Sequence, residues 1–178
     1  MAIYQYNPSG LFGSLQIKRK VFVSFHHTGD QAYRDAFANA YSETYEIFTD
    51  RSVAEAYDSE DHQYLRWQIR QNDIKGSSCT VVLCGAQTPL RKHVDWEIKA
   101  TLDFKHGLLA IILPTCAKNA QGSWIVPDRL ADTVNSGFGK WMLWSQLSPQ
   151  LLKAAIEESI ACPVDKILNS REMRKRNG

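Results

Sequence analysis

Five short apolar segments recur along the chain, and each predicts a β-strand. They lie at residues 21–27, 45–50, 79–84, 108–113 and 140–144. The first and fourth segments are apolar at consecutive positions, which is typical of parallel strands covered by helices on both faces. In the first segment, Ser24 and His26 interrupt one of the two apolar faces.

Apolar residues between these strands recur at helical spacing and predict four helices. The first follows Thr28-Gly29-Asp30, which reads as a turn and N-cap, and the second ends near Asp73. The third has Thr88 as N-cap and Pro89 at its first position, and the last starts at Ser148. Residues 51–62 are predicted to form a functional loop, and residues 115–139 a long surface excursion without a helix.

This alternation predicts an α/β fold, a three-layer sandwich with helices on both faces of a five-stranded, mainly parallel sheet. The expected strand order is the flavodoxin-like order 2-1-3-4-5. In that order, ligands bind at the carboxyl ends of strands 1 and 3.

Composition indicates one domain, which we assign to residues 20–168. Residues 1–19 are a polar lead-in, and residues 169–178 are expected to form a basic, flexible tail. A net charge of +2, from 21 basic and 19 acidic residues, gives no reason to expect nucleic acid or a membrane as partner. The four cysteines form no C-x-x-C pair, so we expect reduced thiols and no metal site. The N-terminal residues show no apolar leader, so we expect a cytoplasmic protein.

Glu97 is the candidate catalytic residue. Val94, Ile98 and Leu102 form a helical stripe, and Glu97 lies beside this stripe early in the helix that follows strand 3. The chain has no G-x-G-x-x-G after strand 1, no P-loop, no G-x-S-x-G and no H-E-x-x-H. A carboxylate with aromatic, His and Arg neighbours suits cleavage of a nicotinamide glycosidic bond, because the leaving group needs no general acid and the carboxylate stabilises the oxocarbenium-like ribose.

Four segments match the corresponding blocks of a known family in the correct order, across about residues 20 to 115. The segments are Lys20–His26, Ile47–Asp50, Gly76–Gly85 and Val94–Ile98. Together they resemble TIR-like domains, and most closely the ThsB-type branch found in Thoeris antiphage systems. The resemblance implies an enzyme that cleaves NAD+ during phage infection, with NAD+ as substrate and no cofactor. Its product would be an ADP-ribose-derived signal, often cyclic, that activates a separate effector protein.

The resemblance also implies a set of site residues. The family's catalytic glutamate, in a W-V-x-x-E-I-like segment, corresponds to Glu97. His93 stands where the family has an aromatic residue, and Trp96 directly precedes the glutamate. The family's strand-end contacts correspond to Phe25, His26 and Phe48. From its place at the end of strand 2, Asp50 is a further candidate for binding ribose.

Two other functions stay open at this point. One is a TIR-like interaction module without catalysis, which would bind partner TIR-like domains. The other is a nucleoside N-glycosidase or deoxyribosyltransferase that uses Glu97 covalently. For the NAD+-cleaving enzyme, self-association or a phage-derived trigger is expected. The sequence leaves open which atom attacks the ribose, and therefore which product forms.

Overall fold

A computed structural model describes residues 18–49 and 71–178. In these ranges, one sheet contains five strands, all parallel, in the order β2-β1-β3-β4-β5. The strands are β1 (Arg19–Ser24), β2 (Tyr45–Thr49), β3 (Cys79–Cys84), β4 (Gly107–Ile112) and β5 (Lys140–Leu143). The predicted strands and their order are confirmed.

Helices occupy both faces of the sheet. They are α1 (His27–Tyr41), α2 (71–76), α3 (Lys92–Asp103), α4 (Asp128–Asn135) and α5 (Pro149–Ile160). On one face, Phe37 of α1 and Leu152 of α5 belong to one core cluster. On the other, Ile98 of α3 and Leu130 of α4 belong to a second cluster. The predicted three-layer α/β sandwich is therefore confirmed.

Three predictions about helices were wrong in detail. The segment 115–139 contains α4, which starts after Pro127 and is only 8 residues long, too short for its period to stand out. Thr88–Leu90 forms a separate 3-10 turn, so α3 begins at Lys92 with Arg91 as its N-cap. Likewise, α1 begins at His27, because the turn predicted at Thr28-Gly29-Asp30 is already helical. At α5, Ser148 accepts a hydrogen bond from the Leu151 amide, as an N-cap does.

The C-terminal segment, residues 169–178, lies against α3. The Arg174 amide donates to Asp95 Oδ2 (2.8 Å), and the Lys92 amide donates to Asn177 Oδ1 (3.0 Å). The sequence predicts a flexible tail for residues 169–178. In the structure this segment forms hydrogen bonds with α3, the helix that carries Glu97. The lead-in at residues 1–17 and the loop at residues 51–62 lie outside the described residues.

Among the helices of residues 18–49 and 71–178, none is long and apolar enough to cross a bilayer.

Candidate active site

The candidate site lies at the carboxyl ends of β1 and β3, the neighbouring strands at which the order of the sheet reverses. Ser24 is the last residue of β1 and pairs in register with Val82 of β3. The chain leaves β3 at Cys84, passes through the 3-10 turn and enters α3 beside this edge. In open α/β sheets this reversal creates the ligand-binding crevice.

Glu97 stands in the second turn of α3, and its side chain is directed inward. Residue Glu97 is 2% exposed, and its neighbours Val94 and Ile98 are fully buried in the core. The Ser24 hydroxyl donates a hydrogen bond of 2.5 Å to Glu97 Oε2. This hydrogen bond fixes one carboxylate oxygen, and burial limits how far water can screen a charge at this position.

Ser24 is a site residue that was not assigned from the sequence. Its side chain is fully buried, and its hydroxyl is the donor to Glu97. A signal was present, since Ser24 interrupts an otherwise apolar strand. That signal alone does not say what the hydroxyl bonds to, because the partner lies 73 residues along the chain.

His93 joins the first turn of α3 to the end of β1. Its Nε2 lies 3.2 Å from the Phe25 carbonyl oxygen, within hydrogen-bond distance. His93 precedes Glu97 by one helical turn, so both side chains point toward the same side of α3. The structure therefore brings His93 and Glu97 to the same edge of the sheet.

Phe25 meets the site through its backbone. Its ring is 3% exposed and belongs to the core cluster on the α1 side. The ring also lies 4.4 Å from the ring of His27, centroid to centroid, and His27 is 6.2 Å from His93. His27 was not assigned to the site from the sequence, and these ring contacts are what place it there.

His26 is the N-cap residue of α1 and is partly buried. Burial lowers its pKa, and the charges of Arg91 and His27 lower the pKa further. Within the described residues, its buried Nδ1 atom has no hydrogen-bond partner. Among residues 18–49 and 71–178, nothing therefore satisfies this atom of His26.

Asp30 connects α1 to the loop after β3. This buried carboxylate accepts from Thr88 Oγ1 at 3.1 Å, and the same hydroxyl accepts from the Gly85 amide at 2.9 Å. Burial raises the pKa of Asp30, while the Thr88 hydrogen bond opposes that rise. A Cβ at Gly85 would overlap the Asp30 carboxylate, so any larger residue where β3 ends would have to displace that buried group.

Trp96 is placed away from the group formed by Ser24, His93 and Glu97. Its indole Nε1 donates to the Arg174 carbonyl (2.9 Å), and the Lys92 ammonium lies 5.5 Å from its ring. The Trp96 indole thus contacts the C-terminal segment, and its predicted contact with the ligand stays a prediction. Consecutive helical residues point in directions about 100° apart, so adjacency in sequence does not put both on one face.

The remaining sequence-predicted residues are Phe48 of β2 and Asp50, which follows β2 in the sequence. The backbone of Phe48 pairs in register with Phe22 of β1, but its side chain lies outside the described part of the chain. Asp50 also lies outside the described residues. Across residues 18–49 and 71–178, no group of His, Cys, Asp and Glu side chains could hold a metal ion.

Asp95 and Arg129 form a buried ion pair on the other side of α3. Arg129 is fully buried, and its Nε lies 2.9 Å from Asp95 Oδ1. Arg129 also donates to Asn169 Oδ1 (2.7 Å) and to the Glu172 carbonyl (3.0 Å). This pair links α3, α4 and the C-terminal segment, and it was not foreseen from the sequence.

Comparison with protein families finds a match to the TIR-like domain of the Thoeris protein ThsB over residues 22–118. The match covers β1 to the residues after β4, and includes Ser24, His93 and Glu97. No curated protein matches the chain.

Two solved structures are similar to part of this chain. A 2-deoxyribosyltransferase from Bacillus psychrosaccharolyticus is 13% identical, with a TM-score of 0.47 over 57% of this chain and 77% of that chain. The TIR domains of the activated Roq1 resistosome, which recognises the pathogen effector XopQ, are 16% identical, with a TM-score of 0.41 over 55% of this chain and 58% of that chain.

Proposed function

The chain belongs to the Thoeris ThsB TIR-like family of antiphage proteins, and from this we propose that it cleaves the bond between nicotinamide and ribose in NAD+. The observation that carries the proposal is the buried Glu97 carboxylate, held by Ser24 at the reversal point of the sheet. A buried carboxylate costs free energy unless it is paired, so such groups are found disproportionately at functional sites.

The chemistry needs little besides this carboxylate. Nicotinamide is cationic while bonded to ribose, and it takes the electron pair of the broken bond and leaves as a neutral base. The ribose that remains is oxocarbenium-like, and Glu97 stabilises its positive charge. Because Glu97 is 2% exposed, water screens this attraction only weakly.

The acceptor that attacks the ribose decides the product. An acceptor within the bound nucleotide is held at a high effective concentration beside the anomeric carbon, which favours it over a water molecule. The new bond to the anomeric carbon then closes a ring. A hydroxyl acceptor releases its proton to solvent, whereas an adenine ring nitrogen attacks with its lone pair and has no proton to release. We therefore propose a cyclic ADP-ribose-derived signal that activates a separate effector, with a phage-derived trigger or self-association controlling the enzyme.

A substitution at Glu97 tests the proposal. Glu97→Gln should lower nicotinamide release from NAD+ by about 10²-fold or more, because the amide keeps the shape and loses the charge. Glu43→Gln is the matched control, since the Glu43 side chain is 98% exposed. Free nicotinamide is measured by chromatography, with and without lysate from phage-infected cells, and mass spectrometry identifies the ribosyl product.

A Glu97→Gln protein as active as the parent would refute the assignment of Glu97. If the parent released no nicotinamide even with infected lysate, but captured other TIR-like domains, the protein would be a TIR-like interaction module. A ribosyl group trapped covalently on Glu97 would instead indicate a transferase of the deoxyribosyltransferase kind.

A further inference from the structure

The first turn of α3 has no hydrogen-bond cap from its own segment. Arg91 is the N-cap residue of α3, and its side chain makes no capping hydrogen bond. An arginine side chain has five donors and no acceptor, so it cannot accept from the amide groups that begin a helix. Those first amide groups have no partner within the helix. An acceptor for them must therefore come from another part of the molecule or from solvent.

The C-terminal segment supplies such an acceptor. Asn177 Oδ1 accepts from the amide of Lys92, the first residue of α3, at 3.0 Å. Beside this bond, the Gly178 amide donates to the Leu90 carbonyl at 3.0 Å. Asparagine is among the best helix-capping residues, because its side-chain oxygen accepts from backbone amides. Asn177 therefore caps α3 from a position 85 residues away along the chain.

The same segment makes a second pair of hydrogen bonds further along α3. The Arg174 amide donates to Asp95 Oδ2 at 2.8 Å, and the Arg174 carbonyl accepts from Trp96 Nε1 at 2.9 Å. Asp95 is 7% exposed, so water competes only weakly for its bond. Residues 169–178 thus hold α3 both at the Lys92 amide and at the side chains of Asp95 and Trp96.

The bond to Asp95 lies on the side of α3 away from Glu97. Asp95 precedes Glu97 by two residues, which turns the side-chain direction by about 200° in an α-helix. On the inner side, the Ser24 hydroxyl donates to Glu97 Oε2. The attraction between apolar surfaces is non-directional, whereas hydrogen bonds have preferred directions. Hydrogen bonds on opposite sides of α3 therefore restrict its rotation about its own axis, and that rotation decides where the Glu97 carboxylate lies.

We propose that residues 169–178 form a strap that fixes the position of α3, and that Asn177 is a positioning residue for Glu97. This inference rests on the proposed function, because it assigns the reaction to Glu97. The strap lies outside the match to the ThsB TIR-like domain, which ends at residue 118. The chain therefore carries part of the support for its catalytic helix in a segment beyond the matched domain.

Hydrogen–deuterium exchange measures the hold of the strap without catalysis. Asn177→Ala removes the acceptor for the Lys92 amide, so the first turn of α3 should exchange about three- to tenfold faster, the effect of losing one capping hydrogen bond. Asn177→Asp keeps an acceptor oxygen and should exchange like the parent. Asn119→Ala is the matched control, because Asn119 is also exposed and accepts from the backbone amides of Gln121 and Ser123 within its own segment.

Steady-state kinetics connect the strap to the reaction. Asn177→Ala should lower kcat for nicotinamide release about three- to tenfold with little change in KM, because Glu97 acts on charge that develops in the transition state. Asn177→Asp should restore kcat, since the capping bond is restored. Asn119→Ala should keep the kcat of the parent.

Exchange of α3 that is as slow in Asn177→Ala as in the parent would overturn the strap. Faster exchange with unchanged kcat, or equal losses of kcat in the alanine and aspartate variants, would overturn the positioning role of Asn177. A parent protein that releases no nicotinamide even with infected lysate, while α3 still exchanges faster in Asn177→Ala, would refute the proposed function and support the hold of the strap on α3.

Discussion

The hydrogen bond from Ser24 to Glu97 joins the end of β1 to the second turn of α3. Both residues are buried, so the hydroxyl fixes one carboxylate oxygen in a place where water does not compete for it. Ser24 is therefore a positioning residue for the proposed reaction.

Removing the Ser24 hydroxyl should impair catalysis more than substrate binding. We expect Ser24→Ala to lower kcat for nicotinamide release by about 10- to 100-fold with little change in KM, because one hydrogen bond to a charged group is lost. Ser24→Thr, which keeps a hydroxyl, should recover part of the rate. Steady-state kinetics measure both effects.

The control for Ser24 is Ser159→Ala. Ser159 is equally buried, but its hydroxyl donates to the Ile156 carbonyl within α5, on the opposite face of the sheet. An equal loss of kcat in the two alanine variants would show that Ser24 acts only through general stability.

The sequence predicts where some of these side chains lie, but not how all of them are oriented. The position of Glu97 could be predicted, because a helical stripe and the strand before it fix where the helix lies. The orientations of Ser24 and Trp96 could not, because they depend on partners 73 and 78 residues away in sequence. Local patterns do not contain such pairings.

Helix α3 is held in place by contacts on two of its sides. Its inner face supplies Val94, Ile98 and Leu102 to the core, as the stripe predicts. Its other side holds the Asp95–Arg129 pair and the C-terminal segment. The helix α4 was missed in the sequence partly because its first turn buries a charged residue, Arg129, where an amphipathic pattern calls for an apolar one.

Breaking this ion pair should destabilise the protein strongly. Arg129→Met leaves the Asp95 charge buried without its partner, and we expect a loss of about 3–5 kcal/mol in the free energy of unfolding. Urea denaturation measures it. The double variant Asp95→Leu/Arg129→Met should recover much of that loss, because neither charge then remains buried.

Arg171→Met is the comparison for an exposed pair. Arg171 pairs with Asp132 at 2.8 Å, and both side chains are more than a third exposed. This change should cost at most about 1 kcal/mol. Similar urea midpoints for Arg129→Met and Arg171→Met would contradict the distinction between the two pairs.

For the molecule as a whole, the strand order of the sheet and its three-layer arrangement could be predicted from the sequence. Consecutive apolar residues in β3 and β4 are buried on both faces, and parallel strands require crossover helices, so few strand orders were possible. The docking of the C-terminal segment could not be predicted, because it rests on single polar contacts to α3 rather than on a periodic apolar face.

Stability of the whole fold should rise with pH through the slightly acidic range. Burial lowers the pKa of His106, whose Nδ1 lies 3.1 Å from the Ile74 carbonyl oxygen, and also lowers that of His26. Between the folded-state pKa and the ordinary value of 6.5, the unfolded chain binds more protons than the native protein. The free energy of unfolding therefore falls as the pH drops below 6.5.

Urea unfolding at a series of pH values measures this dependence. His106→Gln removes one of the two groups, so its stability should change less with pH across the same window. A pH dependence as steep as that of the parent would contradict the role of His106.

The parallel order of the sheet also bears on how the protein is made. β1 is synthesised first, but it lies between β2 and β3, and its register with β3 joins residues as distant as Ser24 and Val82. Closing such long loops is slow compared with forming local contacts, and it leaves apolar strand edges exposed meanwhile. Ser24 can meet Glu97 only after this central pairing is complete. A nascent chain therefore lacks the contact between Ser24 and Glu97, and the proposed activity would begin only when the sheet has closed.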